Sequence, residues 1–214
     1  MKKLFSPILL VSLTACSSMY YATMETFGYQ KRDLLVERVE EARESQKEAK
    51  QQIQTTFESF QGLSGFQGGE LEAKYKQFKS LYERSASQAI DVKNRITSIE
   101  KVSGDMFSEW GQEIGQIQSP NLRGKSEKMK ADTEQRYTGL INTMKAAEQR
   151  MQPVLTAFHD QVLFLKHNLN AAAISSLQSE TIKIESDVAG LIAEMQKSID
   201  EADKFIASLP KSDK

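Results

Sequence analysis

The stretch YTGLINTMKAAEQRMQPVLTAFHDQVLFL, residues 137–165, decides the fold. Its apolar members Tyr137, Leu140, Met144, Ala147, Met151, Val154, Phe158 and Leu165 keep a three-four alternation, with Gln161 as a polar member of the same seam. An α-helix turns about 100° per residue, so this spacing gathers them into one stripe along one side. A second track, Ile141, Leu155 and Val162, runs beside the first. The combined face is wider than the a/d seam of a two-stranded coiled coil and suits a helix with two neighbours in a bundle.

Three further segments repeat the pattern. Leu35, Val39, Ala42, Ala49, Ile53 and Phe60 hold register in the first, with Gln46 and Thr56 as polar members. The second runs through Leu71, Tyr75, Phe78, Tyr82, Ala89, Val92, Ile96, Ile99, Met106, Trp110 and Ile117, interrupted by Ser85, Ser103 and Glu113, with Leu81 and Ile90 on its side track. The last runs through Ile174, Leu177, Ile184, Val188, Leu191, Met195, Ala202, Phe205 and Leu209, with Thr181 and Ser198 in the seam and Ile192, Ile199 and Ile206 beside it. Only 39% of the residues are hydrophobic, as expected when each helix contributes a stripe and not a whole surface.

Turn signals separate the four segments. Residues 62–69 are glycine-rich, Ser119-Pro120-Asn121 breaks the second seam from the third, and Asn168-Leu169-Asn170 offers cap residues before the fourth. The last break reads either as a turn or as a dent in one long helix, and the turn is expected because it buries both apolar faces within one chain. The sequence therefore predicts an all-α protein, an elongated up-down-up-down four-helix bundle or antiparallel coiled coil over residues 33–209. Its helices are expected at about 33–60, 70–118, 122–168 and 171–209, with a disordered tail at 210–214. Pro153 lies inside a pattern that continues on both sides, so a kink is expected there and not an end. Gly104, Gly111 and Gly115 flank Trp110 and either admit a neighbouring backbone or the indole closely, or soften the helix end.

Ahead of the helices, Lys2 and Lys3 precede the mostly apolar run Leu4–Leu13, followed by Leu13-Thr14-Ala15-Cys16. The run is shorter than the ~20 residues needed to span a bilayer. A basic start, a short apolar core and small residues before a cut define a secretory signal. A cysteine at the cut, the single one in the chain, resembles a bacterial lipobox. That resemblance implies a signal peptide over 1–15, a diacylglyceride thioether on Cys16 with further acylation (palmitate among the acyl chains), and a lipidated membrane-proximal segment over 16–32. Two or three chains, at about 0.8 kcal/mol per buried CH₂, anchor a protein stably. Ser17 after the cysteine implies export to the inner leaflet of the outer membrane, on the periplasmic side. The rival expectations are an ordinary secreted protein with a chance cysteine, and a cytosolic coiled-coil protein whose start is not processed.

Composition narrows the function further. Without Lys2 and Lys3 the chain holds 26 basic and 29 acidic residues, a net of about −3, which argues against nucleic acid as a partner. With Cys16 modified there is no thiol chemistry and no disulfide. His159 and His167 stand two helical turns apart, about 12 Å along the axis, and neither has an acidic residue three positions before it. They read as satisfied or solvated histidines. Asp105, Glu109 and Glu113 share a helix face and read as solvated carboxylates, while Glu40/Arg43 and Glu44/Lys47 read as surface ion pairs. No phosphate-binding loop, nucleophile elbow or zinc-ligand cluster appears. The expectation is a protein without catalytic residues, metal or cofactor.

Two features exceed what a bundle core needs. Tyr20, Tyr21, Phe27 and Tyr29, followed by Lys31 and Arg32, suit a bilayer interface or the packing of aromatics on the bundle end. Val162, Leu163, Phe164 and Leu165 are apolar all round the helix and are either enclosed by three helices or form a partner-docking patch.

The segments YYATMETFGYQKRDLLVERVEEARESQKEAK (20–50), GGELEAKY (68–75) and MQPVLTAFHDQVLFLKHNLNAAAISSLQ (151–178) resemble the domain of unknown function 2959 family, an uncharacterised and largely proteobacterial group. The resemblance covers nearly the whole chain after the signal. It implies that the helices act as one unit and carries over neither activity nor catalytic residues. The functional expectation is a non-enzymatic, lipid-anchored periplasmic scaffold or interaction module. It meets the membrane through acylated Cys16 and binds envelope proteins, with self-association left open. Its rivals are a membrane- or lipid-binding helical protein and a helical-bundle carrier of metal or a small ligand.

Overall fold

The computed structural model describes residues 31–64 and 70–209. Among them the chain forms four helices and no strand: α1 (Lys31–Ser64), α2 (Leu71–Gln116), α3 (Pro120–His167) and α4 (Ala171–Ser208). At 1.5 Å per residue the two longest span about 70 Å. The signal over 1–15, most of the 16–32 segment and the tail at 210–214 lie outside the described residues.

Local chemistry places the helix ends. Ser119 caps α3, its hydroxyl accepting from the Leu122 amide at 3.5 Å, and Pro120 takes the first helical position. Proline is well placed there because its missing N–H would have had no helical partner. α3 consequently starts two residues earlier than expected. It then runs through Pro153 without ending. The break at 168–170 is a turn. Asn168 leaves helical geometry, and the Asn170 side chain accepts from the Ala173 amide at 3.0 Å to start α4. α1 continues through Gly62 to Ser64, four residues past its expected end, because Leu63 is buried in the core and holds the last turn.

Each helix packs on its neighbours in sequence, and α4 closes the ring on α1. Contacts such as Thr56 with Ser85, Phe78 with Phe158 and Arg43 with Asp203 each pair the earlier part of one helix with the later part of its neighbour, which fits the up-down-up-down order. The seam predicted for α1 is buried throughout, that of α4 is buried except at the partly exposed Thr181, and that of α3 is buried from Leu140 to Leu165. At one level of the core the Phe78 ring lies 5.4 Å from Phe60 and 6.0 Å, edge-on, from Phe158. One α2 residue thereby joins α1 to α3 across the bundle. A fully buried ring contributes about 1.5–3 kcal/mol by desolvation alone.

Four polar seam members fit because they pair. Ser198 donates its hydroxyl proton to the Gln46 Oε1 atom at 2.8 Å, and Thr56 and Ser85 share a hydrogen bond of 2.8 Å. All four side chains are buried. Buried polar groups with specific partners favour one register of neighbouring helices over its shifted alternatives.

Three expectations need correction. Ile90, assigned to a side track, is 61% exposed, because α2 presents the small Ala86 and Ala89 beside it and the facing α3 surface leaves a cleft there. Gly104 and Gly115 have open space where a side chain would stand, and Gly111 meets only the Lys130 stem, so no close approach requires them. The close approach is instead at Gly190 of α4, where the Arg150 Nη1 atom lies 2.6 Å from the position a Cβ would take. Arg43 bonds Glu44 at 2.8 Å and reaches across to Asp203 of α4 at 2.5 Å, where an ion pair with Glu40 was expected.

Candidate functional site

No helix among the described residues is long and apolar enough to cross a membrane. Of the sequence-predicted site residues, Cys16, Tyr20, Tyr21, Phe27 and Tyr29 lie outside the described residues. Lys31 and Arg32 open α1, where the Lys31 ammonium pairs with Glu109 of α2 at 2.7 Å and Arg32 lies 3.6 Å from Asp33.

The run Val162–Leu165 divides between inside and outside. Val162 and Leu165 point into the core, while Leu163 and Phe164 are 50% and 41% exposed. Helical geometry explains the division, since four consecutive residues cover all sides of a helix and a ring of four helices covers only part of each. The patch lies near the end of the rod where α3 turns into α4, opposite the end at which α1 begins. Counted along α1, the two levels are separated by about 45 Å.

Between α2 and α3 lies a cleft of about 340 Å³, lined by residues including Tyr82, Ala89, Ile90, Met151, Leu155 and His159. The Tyr82 and His159 rings meet at 5.6 Å, tilted by 33°. Burial, with Glu83 nearby, pushes the Tyr82 phenol above the ordinary tyrosine range. Lys93 and Glu148 supply one charge of each sign to the lining. Sequence reading missed this cleft, and the available signal was the pair of alanines at 86 and 89 in a helix face otherwise made of large side chains.

The carboxylate face dissolves into separate roles. Glu109 pairs with Lys31, Glu113 is exposed, and Asp105 is half-buried. No group of three or more histidine, cysteine or acidic residues among the described residues is placed to hold a metal ion. Both histidines are exposed, His159 against Tyr82 and His167 at the last residue of α3.

Among the described residues, the fold is an all-helical bundle that carries a half-exposed apolar patch and a shallow cleft. The model of the family described as "Protein of unknown function (DUF2959)" matches residues 20–209, and the chain belongs to that family. No curated protein and no solved structure matches it.

Proposed function

We propose that this protein is a lipid-anchored, non-enzymatic helical scaffold of the bacterial envelope, seated through acylated Cys16 on the periplasmic inner leaflet of the outer membrane. The anchor reading is supported by the Leu13-Thr14-Ala15-Cys16 sequence behind a short apolar run. One observation carries the scaffold reading: Leu163 and Phe164 are exposed beside buried Val162 and Leu165, at the end of the rod away from the start of α1. A rigid spacer of about 45 Å between the chain's entry into the bundle and an apolar patch suits a module that presents a docking surface to an envelope protein at a distance from the bilayer.

Two measurements test the two halves separately. Intact-mass analysis of the protein purified from its bacterial envelope should show a chain starting at Cys16 and carrying acyl groups, with the Cys16→Ser variant losing both. An unprocessed start ends the anchor reading. Photocrosslinking in cells from positions 163 and 164 should trap one envelope protein that crosslinkers at the exposed positions Glu72 and Lys76 do not. An identical set of products from both places ends the scaffold reading.

A second reading, a small-ligand carrier, is favoured by the α2–α3 cleft, whose volume falls at the lower end of small-molecule sites. Displacement of an environment-sensitive dye, abolished by Ala89→Phe, tests it.

A further inference from the structure

The α2–α3 connection and the start of α1 lie at the same end of the bundle. The Lys31 ammonium meets Glu109 of α2 at 2.7 Å. One residue on, the Trp110 indole donates to the Ser126 hydroxyl of α3 at 2.9 Å. The first turns of α3 therefore stand beside the last turns of α2, at the end where α1 begins.

Charge at this end is one-sided. Residues 114–126, IGQIQSPNLRGKS, carry Arg123 and Lys125 and no acid, and Lys128 and Lys130 follow with Glu127 as the one acid before them. Lys130 is bonded to Glu134, whereas Lys125 and Lys128 are exposed and pair with no carboxylate among the described residues. Arg123 donates twice to the Ile117 carbonyl, at 2.7 and 3.1 Å, which fixes its positive charge at the tip of the hairpin. Among these cations stand two large apolar side chains, Leu122 at 58% and Met129 at 61% exposed. Ile114 on α2 is buried, so the inner side of the hairpin is filled and Leu122 and Met129 belong to its surface. Spacings of three and four place Leu122, Lys125 and Met129 on one side of α3.

Single exposed leucines need no explanation. Apolar side chains interleaved with unpaired cations are what an amphipathic segment presents to the headgroup layer of a bilayer, where the apolar groups enter and the cations meet phosphates. The location suits that partner. Cys16 precedes Lys31 by fifteen residues, a reach of at most about 54 Å. A short tether raises the local concentration of this end at a surface to the millimolar range, enough for a patch with few contacts. We propose that the start of α3, through Leu122 and Met129 with Arg123, Lys125 and Lys128, is a docking surface for a bilayer bearing anionic phospholipid headgroups. The proposal rests on the anchor reading for the supply of a bilayer, while its chemistry is separate from that of the acyl chains. Each cation near an anionic surface multiplies occupancy about fivefold, so three together supply on the order of 100-fold.

The test replaces the acyl anchor by an artificial one, so that a failed anchor and a failed docking surface give different results. The chain from residue 16 onward with Cys16→Ser carries an N-terminal histidine tag and is held on vesicles containing a nickel-chelating lipid. Asn121→Cys then supplies a single thiol for an environment-sensitive dye, and His167→Cys, at the far end of α3, supplies the comparison. On vesicles rich in phosphatidylglycerol the dye at 121 should brighten and shift to the blue, while the dye at 167 should not. Phosphatidylcholine vesicles should remove most of that shift, and so should about 1 M salt, where the screening length is about 3 Å. Arg123→Gln/Lys125→Gln/Lys128→Gln and Leu122→Ser/Met129→Ser should each do the same with far-UV circular dichroism unchanged. No shift at 121 on phosphatidylglycerol overturns the proposal and leaves the patch to a protein partner. An equal shift at both labels, or one that survives loss of the three cations, overturns it as well. Intact-mass analysis of the native protein reports on Cys16 alone and is independent of all these outcomes.

Discussion

Removing the hydroxyl of Ser198 tests whether the buried polar pairs act as argued. Ser198 and Gln46 are both fully buried, and the 2.8 Å bond between them is the one hydrogen bond that satisfies the Gln46 carboxamide oxygen. The Gln46 amide nitrogen is enclosed without a hydrogen-bond partner in the protein. Ser198→Ala therefore leaves a whole amide group buried and unpaired, at a cost of about 1–3 kcal/mol. With a urea m-value of about 1–3 kcal/mol/M, the midpoint should fall by roughly 1 M. Gln46→Met combined with Ser198→Ala removes both polar groups and keeps the volume, and that exchange is close to neutral or stabilising. The double variant should thus recover at least ~1 kcal/mol relative to Ser198→Ala alone. Urea unfolding followed by far-UV circular dichroism measures all four corners of the cycle. A loss below ~0.5 kcal/mol for Ser198→Ala, the range of neutral surface changes, would refute the reasoning. So would a double variant whose loss equals the sum of the two single losses.

Other outcomes follow from the same packing. Phe78→Ala should destabilise the bundle by about 3–5 kcal/mol in the same urea assay, since it opens a cavity between the Phe60 and Phe158 rings, and Phe78→Leu should cost clearly less. Gly104→Ala and Gly139→Ala, in helix interiors with open space at the Cβ position, should each raise stability by up to ~1 kcal/mol. Burial raises the phenol pKa of both Tyr82 and Tyr137 above the ordinary value of 10.0, with Glu83 and Glu100 respectively adding to the shift. Their folded-state values thus exceed the unfolded ones, so the contribution is full below pH ~10 and is lost as pH rises through the raised values. Thermal melting against pH should show an alkaline loss that shrinks in Tyr82→Phe/Tyr137→Phe, and an unchanged alkaline limb would contradict it.

Much of this architecture can be read from the chain because a bundle helix writes its environment into a three-four alternation. Ile174, Ile184, Leu191 and Phe205 were legible as core, and so were the polar members Gln46 and Ser198, though not as partners of each other. Pairing is invisible in a single stripe, which records that a face is covered and not by what. The exposed Ile90 shows the same limit from the other side. Its spacing is that of a core residue, but the missing bulk at Ala86 and Ala89 lets the cleft reach it. Val162–Leu165 was legible as unusual, while its division into an inner and an outer pair depends on how much of α3 the ring leaves open. Arg43 turned to Asp203 for a related reason: local spacing reports neighbours within a helix, and the competing carboxylate came from α4.

The placement of the buried side-chain hydrogen bonds between helices has a consequence for how the molecule comes apart. Among the described residues both fully buried ones involve α1, which is fastened to α4 through Gln46 and Ser198 and to α2 through Thr56 and Ser85. Along its buried length α3 is fastened by shape and by the part-exposed Lys145–Glu100 pair with α2, its Gln161 finding no such mate on another helix. Peeling α3 away strands no polar atom in oil, so its amides in the 140–165 region should swap their protons with water sooner than those of α1. The bundle is in that sense a latched pair of walls with one door, and the door is the helix that displays Leu163 and Phe164.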